Sequence, residues 1–143
     1  MIDYEKLITE ALHAREAAYV PYSKFSVGAA LLCDSGEIIR GCNIENAAYS
    51  PTNCAERTAI FKAVSEGKKE FTAIAVVGGP QEAPPAEIIS PCGVCRQVMM
   101  EFCDPDACEV ILAKNEREYR IYKLSELLLL GFSPKNLLKN ISI

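Results

Sequence analysis

Basic residues are in the minority in this chain of 143 residues: 15 lysines and arginines stand against 19 aspartates and glutamates, a formal net charge of −4. The cations are scattered, with no basic stripe, so a nucleic-acid partner is not expected and a small-molecule ligand fits better. No apolar run approaches the roughly 20 residues of a membrane span; the four leucines Leu127 to Leu130 read as a buried helix end. The stretch from Met1 to Tyr19 carries Asp3, Glu5, Lys6, Glu10, His13, Arg15 and Glu16, too polar for the core of a secretory signal. His13, the single histidine, sits on a polar helix face and reads as solvated. There is no internal repeat and no low-complexity segment. These absences predict a cytoplasmic protein with no membrane contact, and the length fits one domain spanning residues 1–143.

Cysteine, by contrast, is plentiful. Seven are present, Cys33, Cys42, Cys54, Cys92, Cys95, Cys103 and Cys108. An odd count without a secretory signal argues against a disulfide framework, and clustered thiols in a reducing compartment point to metal or catalysis.

Apolar residues at Leu7, Ile8, Ala11, Leu12 and Ala18 recur at helical spacing over residues 4–19, and Pro21 blocks further helix. Phe25 to Cys33 reads as a strand, and the Asp34-Ser35-Gly36 turn predicts that Glu37 to Ile44 pairs back on it. Cys54 to Glu66 is a second predicted helix, stopped by Gly67. Thr72 to Val77 is an apolar run with the character of a central strand. The segment from Gln81 to Glu87, with Pro84-Pro85, is a loop, and Pro91 to Phe102 is a third helix. Strands at Glu109 to Ala113 and Tyr119 to Tyr122 and a short helix over Leu124 to Leu130 complete the order α-β-β-α-β-α-β-β-α. This alternation predicts a three-layer α/β/α fold around a mixed five-stranded sheet.

The sharpest local pattern is Pro91-Cys92-Gly93-Val94-Cys95. With Ser90 as cap and Pro91 at the first helical position, the two cysteines lie three apart on one helix face. At a helix N-terminus the dipole favours both thiolates, so the pair can chelate zinc. One such pair alone also fits a redox dithiol, half of a zinc finger or two core cysteines. Asn53-Cys54-Ala55-Glu56 adds a third thiolate, again at a helix start, with a carboxylate two residues on. Three protein ligands leave a position for substrate chemistry, whereas a structural site needs a fourth, for which Cys42 and Cys103 are available. Three thiolates and Zn²⁺ sum to −1, and Arg57 is the candidate cation to offset that; otherwise it is a solvated helix arginine. Glu56 beside a metal can move protons, but Asn53 and Glu56 also have the spacing of a capping box.

Cys54-Ala55-Glu56 followed by Pro91-Cys92-x-x-Cys95 resembles the zinc-dependent cytidine/deoxycytidylate deaminase family. The likeness extends to Ala18 through Leu31, to Gly41 through Ser50, to Cys54 through Ala59 and to Ser90 through Val98, so that it covers about residues 4–133. The resemblance implies that Cys54, Cys92 and Cys95 bind one zinc and that Glu56 shuttles protons during hydrolytic deamination of cytidine, in pyrimidine salvage. It further implies that Asn43 and Glu45 hydrogen-bond the ribose and that Phe25 packs against the base. The Ala55 N–H would meet the pyrimidine O2, and the Ser90 carbonyl the leaving amine. Ala47 and Tyr49 near the 5′-hydroxyl and Phe132 over the base would act across subunit boundaries of a homotetramer. Two departures stand out: the stretch from Gly79 to Ile89 is a few residues longer than in common short members, and Leu129-Leu130-Gly131-Phe132 replaces the usual Pro-Gly-Ala-Phe.

Three other readings share part of this pattern. A structural zinc module explains the cysteines but leaves Glu56 and the nucleoside segment without a role. A polynucleotide or tRNA deaminase calls for a basic surface. An aminonucleoside-antibiotic deaminase does not need the run Asn43 to Ala47 in this form.

Overall fold

The computed structural model describes residues 1–138. Five strands form one sheet in the order β2-β1-β3-β4-β5, with β1 (Phe25–Cys33), β2 (Ile38–Cys42), β3 (Phe71–Pro80), β4 (Glu109–Ala113) and β5 (Tyr119–Lys123). Only β3 and β4 run parallel; the other neighbours are antiparallel, so the sheet is mixed as the sequence predicts. Helix α1 (Tyr4–Arg15) covers one face, where Leu7, Ile8 and Ala11 pack on Ala30, Ala75, Val77 and Ile111. Helices α2 (Ala55–Ser65) and α3 (Gly93–Phe102) cover the other, where Ala59, Ile60, Ala63, Cys95 and Met99 meet Leu31, Ile74, Val76 and Val110. Burial on both faces explains why β3 reads as a continuous apolar run rather than an alternating one. The short helix α4 (Leu124–Leu127) follows β5.

Two glycines set the distance between layers. A Cβ on Gly28 would overlap the Ala11 carbonyl of α1, and one on Gly41 would overlap the Ala55 carbonyl of α2. Gly28 pairs with Cys42 and Gly41 with Ala29, so the two notches lie side by side in the β1–β2 hairpin, one for each helix.

Several boundaries differ from the sequence reading. Helix α1 ends at Arg15, not Tyr19, because residues 16–18 close in i→i−3 turns and Tyr19 leaves to bridge Ile44. Strand β3 runs past Val77 to Pro80 because Gly78, Gly79 and Pro80 still pair with Val27, Ser26 and Phe25. Helix α4 stops at Leu127, three residues early; Leu130 then takes a left-handed conformation at φ 55°.

Candidate active site

Strands β2 and β3 both run antiparallel to β1 and therefore point the same way, so α2 and α3 start from the same edge of the sheet, as ligand-binding loops do in open α/β sheets. Cys54 is the N-cap of α2 and Cys92 the N-cap of α3, both in extended conformation. Neither sulfur caps a backbone N–H. The sequence reading placed Ser90 as cap and Pro91 at the first helical position; instead Gly93 is the first residue of α3, and Cys95 falls in its first turn. The sulfurs of Cys54, Cys92 and Cys95 lie within 4.8 Å of one another. Two sulfurs held at about 2.3 Å by one tetrahedral zinc stand about 3.8 Å apart, and Cys54 Sγ and Cys92 Sγ are 3.8 Å apart. The donor set and its spacing fit zinc. Cys42 is the last residue of β2, and Cys103 caps the far end of α3, roughly 15 Å along the helix, so neither joins the group.

Arg57 Nη2 donates to Cys54 Sγ at 3.1 Å. Burial works against the guanidinium charge, but its hydrogen bonds to Cys54 and Cys95 outweigh this and raise its pKa further. Its Nε is buried without a partner among the described residues. The solvated alternative for Arg57 is thereby excluded; it serves the sulfur cluster. The Cys54 thiol is held down to about 5, first by the hydrogen bond from Cys95 and then by Arg57. Cys95, the donor in that pair, is pushed up by Cys54 and by burial.

Glu56 is only 4% exposed. Burial, then the Cys54 charge, raises its carboxyl to about 7. The capping-box alternative does not form. The N-cap is Cys54, and Asn53 turns its amide to Thr58 Oγ1 at 3.1 Å while its backbone pairs with Ile44. Glu56 is thus a buried carboxyl beside a thiolate cluster, with its charged form disfavoured by its surroundings.

The remaining predicted residues lie at element ends and in loops. Asn43 is tied to β1 at both ends of its amide: Oδ1 accepts from Val27 N–H at 2.9 Å and Nδ2 donates to the Phe25 carbonyl at 2.9 Å. Glu45 Oε1 accepts the N–H groups of Tyr22 and Ser23 at 3.0 and 3.1 Å, which with the Ser23 hydroxyl lower its pKa. Glu45 and Tyr49 line a cavity of about 350 Å³ with Tyr22, Ser23 and Thr52. Neither Glu56 nor a cluster sulfur lines it. Ala47 is exposed in the turn before Tyr49, and Ala55 is buried as the first residue of α2. Ser90 Oγ accepts from Arg96 Nη2, and the Phe132 carbonyl accepts from Gln97 Nε2 at 2.9 Å. The ring of Phe132 is 56% exposed.

Sequence reasoning assigned no role to Arg96 or Gln97. Arg96 also donates to the carbonyls of Pro91 and Leu127, so the first turn of α3 holds both the loop before Cys92 and the segment leading to Phe132. Their place directly after Cys95 was the available signal. Lys24, Tyr49 and Leu130 adopt φ of 58°, 59° and 55°. Such conformations are uncommon outside glycine, and each lies at or within two residues of a predicted substrate contact.

The model of the cytidine and deoxycytidylate deaminase zinc-binding region matches residues 1–111. The chain belongs to this deaminase family. Among relatives, the chain is 54% identical over 136 residues to a cytidine deaminase of Sporosarcina psychrophila, covering 95% of this chain and 96% of that one. It is 51% identical over 136 residues to a cytidine deaminase of Halalkalibacterium halodurans, covering 95% and 98%. The crystal structure of a Burkholderia pseudomallei cytidine deaminase superposes with a TM-score of 0.81 at 46% identity, covering 92% of this chain and all of that one. The family match and the three-thiol cluster together make this a zinc enzyme, a hydrolase of the deaminase type.

Proposed function

We propose that the protein hydrolyses cytidine and 2′-deoxycytidine to uridine and 2′-deoxyuridine, releasing ammonia, as a cytoplasmic enzyme of pyrimidine salvage. The observation that carries this reading is the buried Glu56 beside Cys54, Cys92 and Cys95, with Arg57 bonded to the cluster. Zinc held by the three thiolates supplies Lewis-acid activation of water. Glu56 takes the water proton and delivers it to ring N3, which makes C4 electrophilic. After water oxygen adds at C4, Glu56 moves the second proton to the amine, and ammonia leaves. Burial of the Glu56 carboxyl favours its protonated form, which helps it to take the proton and hold it for delivery. Arg57 offsets the excess negative charge of three thiolates.

The other residues orient the nucleoside. The Ala55 N–H, free in the first turn of α2, faces O2 of the base, and the Ser90 carbonyl receives the amine. Phe25 packs on the base, and Asn43 and Glu45 hold the ribose hydroxyls. A neighbouring subunit supplies Ala47, Tyr49 and Phe132 in a homotetramer. Its support is the exposure of the large apolar residues Tyr49, Leu129, Leu130, Phe132, Leu137 and Leu138.

The test is loss of cytidine absorbance with purified protein, with and without a zinc chelator. Turnover should require zinc. Free cytosine should be a very poor substrate, because it makes none of the sugar-hydroxyl contacts that orient the base. Full zinc occupancy with no turnover of cytidine, or equal efficiency on cytosine, would overturn the reading; turnover of single-stranded nucleic acid alone would transfer it to the polynucleotide class.

A further inference from the structure

The longer stretch between β3 and Cys92 is fastened at its end by Arg96 and at its start by a different arginine. Arg15, in the last turn of α1, donates Nε to the Ser26 carbonyl at 3.0 Å. Its Nη2 reaches the carbonyls of Gly79 at 3.0 Å, Ala83 at 2.8 Å and Pro80. Four neutral oxygens thus converge on one guanidinium, and no carboxylate pairs with it among the described residues. The approach depends on Gly28, whose missing Cβ lets α1 close on β1 at Ala11 and Arg15.

The loop beyond this clamp folds back on the end of β3. Gln81 N–H donates to the Lys24 carbonyl at 2.8 Å and Ala83 N–H to the Pro80 carbonyl at 3.1 Å. Pro85 lies over Gly79, 3.1 Å from where a Cβ would stand. Ile89 and the Phe25 ring both lie over Gly78, the ring 3.3 Å from its Cβ position. The loop is therefore a strap, held by Arg15 at one end and seated at the other beside Phe25 and just before Ser90.

We infer that Arg15 is a positioning residue for the base-binding wall: by clamping residues 79–83 and the start of β1, it sets where Ile89 and Phe25 stand. The inference rests on the cytidine reading, since Phe25 is its base contact. Arg15 touches neither the sulfur cluster nor Glu56, so its removal loosens binding and leaves the proton steps intact.

The experiment compares zinc-loaded wild type with Arg15→Ala, Arg15→Lys and Gly79→Ala, the last of which presses a Cβ against Pro85 while keeping Arg15. Arg15→Ala should raise KM for cytidine by about 5- to 20-fold with kcat per zinc within about twofold. Arg15→Lys should recover part of the loss, and Gly79→Ala should shift KM the same way by a smaller factor. Hydrogen exchange at the Gln81 and Ala83 amides should speed up at least about tenfold in Arg15→Ala. Faster exchange with unchanged KM would overturn the inference, as would unchanged exchange. A lowered melting temperature with wild-type KM in all three variants would reduce Arg15 to a structural residue. Were the wild type inactive on cytidine, the deamination reading would fall first, and exchange would still report whether Arg15 holds the strap.

Discussion

Helix α3 has a cysteine at each end. At its start, Cys92 is exposed, caps no N–H and lies 3.8 Å from Cys54. At its finish, Cys103 is 3% exposed and uses its own N–H on the Met99 carbonyl. The helix dipole is positive where Cys92 sits and negative where Cys103 sits, so one end supports a thiolate and the other opposes it. The Cys103 thiol is pushed up by its hydrogen bond with Cys108, by burial and by the charges around it, Asp34 and Asp104 included. The same side chain is a metal ligand or a core filler according to which end of a helix it meets and whether a cation such as Arg57 stands beside it.

The largest contrast should come from exchanging the two ends for alanine. Cys92→Ala should lose zinc and activity together, whereas Cys103→Ala should retain both; elemental analysis and cytidine turnover on the same preparations decide it. Full zinc in Cys92→Ala would dissolve the distinction. Next in size is Glu56→Gln, at the corresponding end of α2. Turnover should fall by ~10²–10⁴-fold, the range for loss of general acid/base catalysis, with zinc and melting temperature kept. Near-normal turnover in the folded, zinc-loaded variant would remove Glu56 from the chemistry.

Arg57→Ala probes the cation that separates the two ends. Zinc affinity should weaken by about 10- to 100-fold, as for other groups that support metal ligands, and a competing chelator series measures it. In stability, Cys103→Ala should cost about 1 kcal/mol, a typical core loss, and Cys103 and Cys108 should resist alkylation until the protein unfolds. Rapid labelling of both in the native state would contradict their burial.

The smallest effect is expected at Tyr4, another group whose surroundings disfavour charge. Its hydroxyl donates to Glu109 Oε1 at 2.5 Å, and that bond, then burial, raises the phenol from 10.0 to about 12. A raised value means the protonated form is favoured in the fold. Its contribution is whole below pH 10 and lost as pH climbs through 12. The melting-temperature gap between wild type and Tyr4→Phe should therefore close over that interval, and a constant gap would assign the contribution to packing.

Legibility in the sequence followed the physics of each element. Strand β1 was readable as a short apolar run closed by the Asp34-Ser35-Gly36 turn, and helix α2 because Ala55, Ala59 and Ala63 face one core at helical spacing. The end of β3 was not: Gly78, Gly79 and Pro80 look like a turn, and their pairing with Phe25 to Val27 is a long-range fact. The zinc ligands were readable because cysteine spacing is local at each helix start. The true cap of α3 was hidden by Ser90-Pro91, which imitates a helix start two residues too early. The sugar-side reading of Asn43 and Glu45 rests on resemblance alone, since nothing in either residue distinguishes a ligand contact from a turn. The role of Arg15 was out of reach, because carbonyl oxygens leave no trace in side-chain patterns.

The paired notches at Gly28 and Gly41 bear on how this protein could be rebuilt. In most of a core, a mutation at one side chain can be answered by trimming another. Here the obstructing atoms include main-chain carbonyls, which every amino acid carries. No second substitution can make Ala55 smaller where its carbonyl faces residue 41. A designer free to vary everything else would still have to leave these two positions without a side chain, or accept that α1 lifts from the sheet at residue 28 and that α2, with Cys54 at its start, lifts at residue 41.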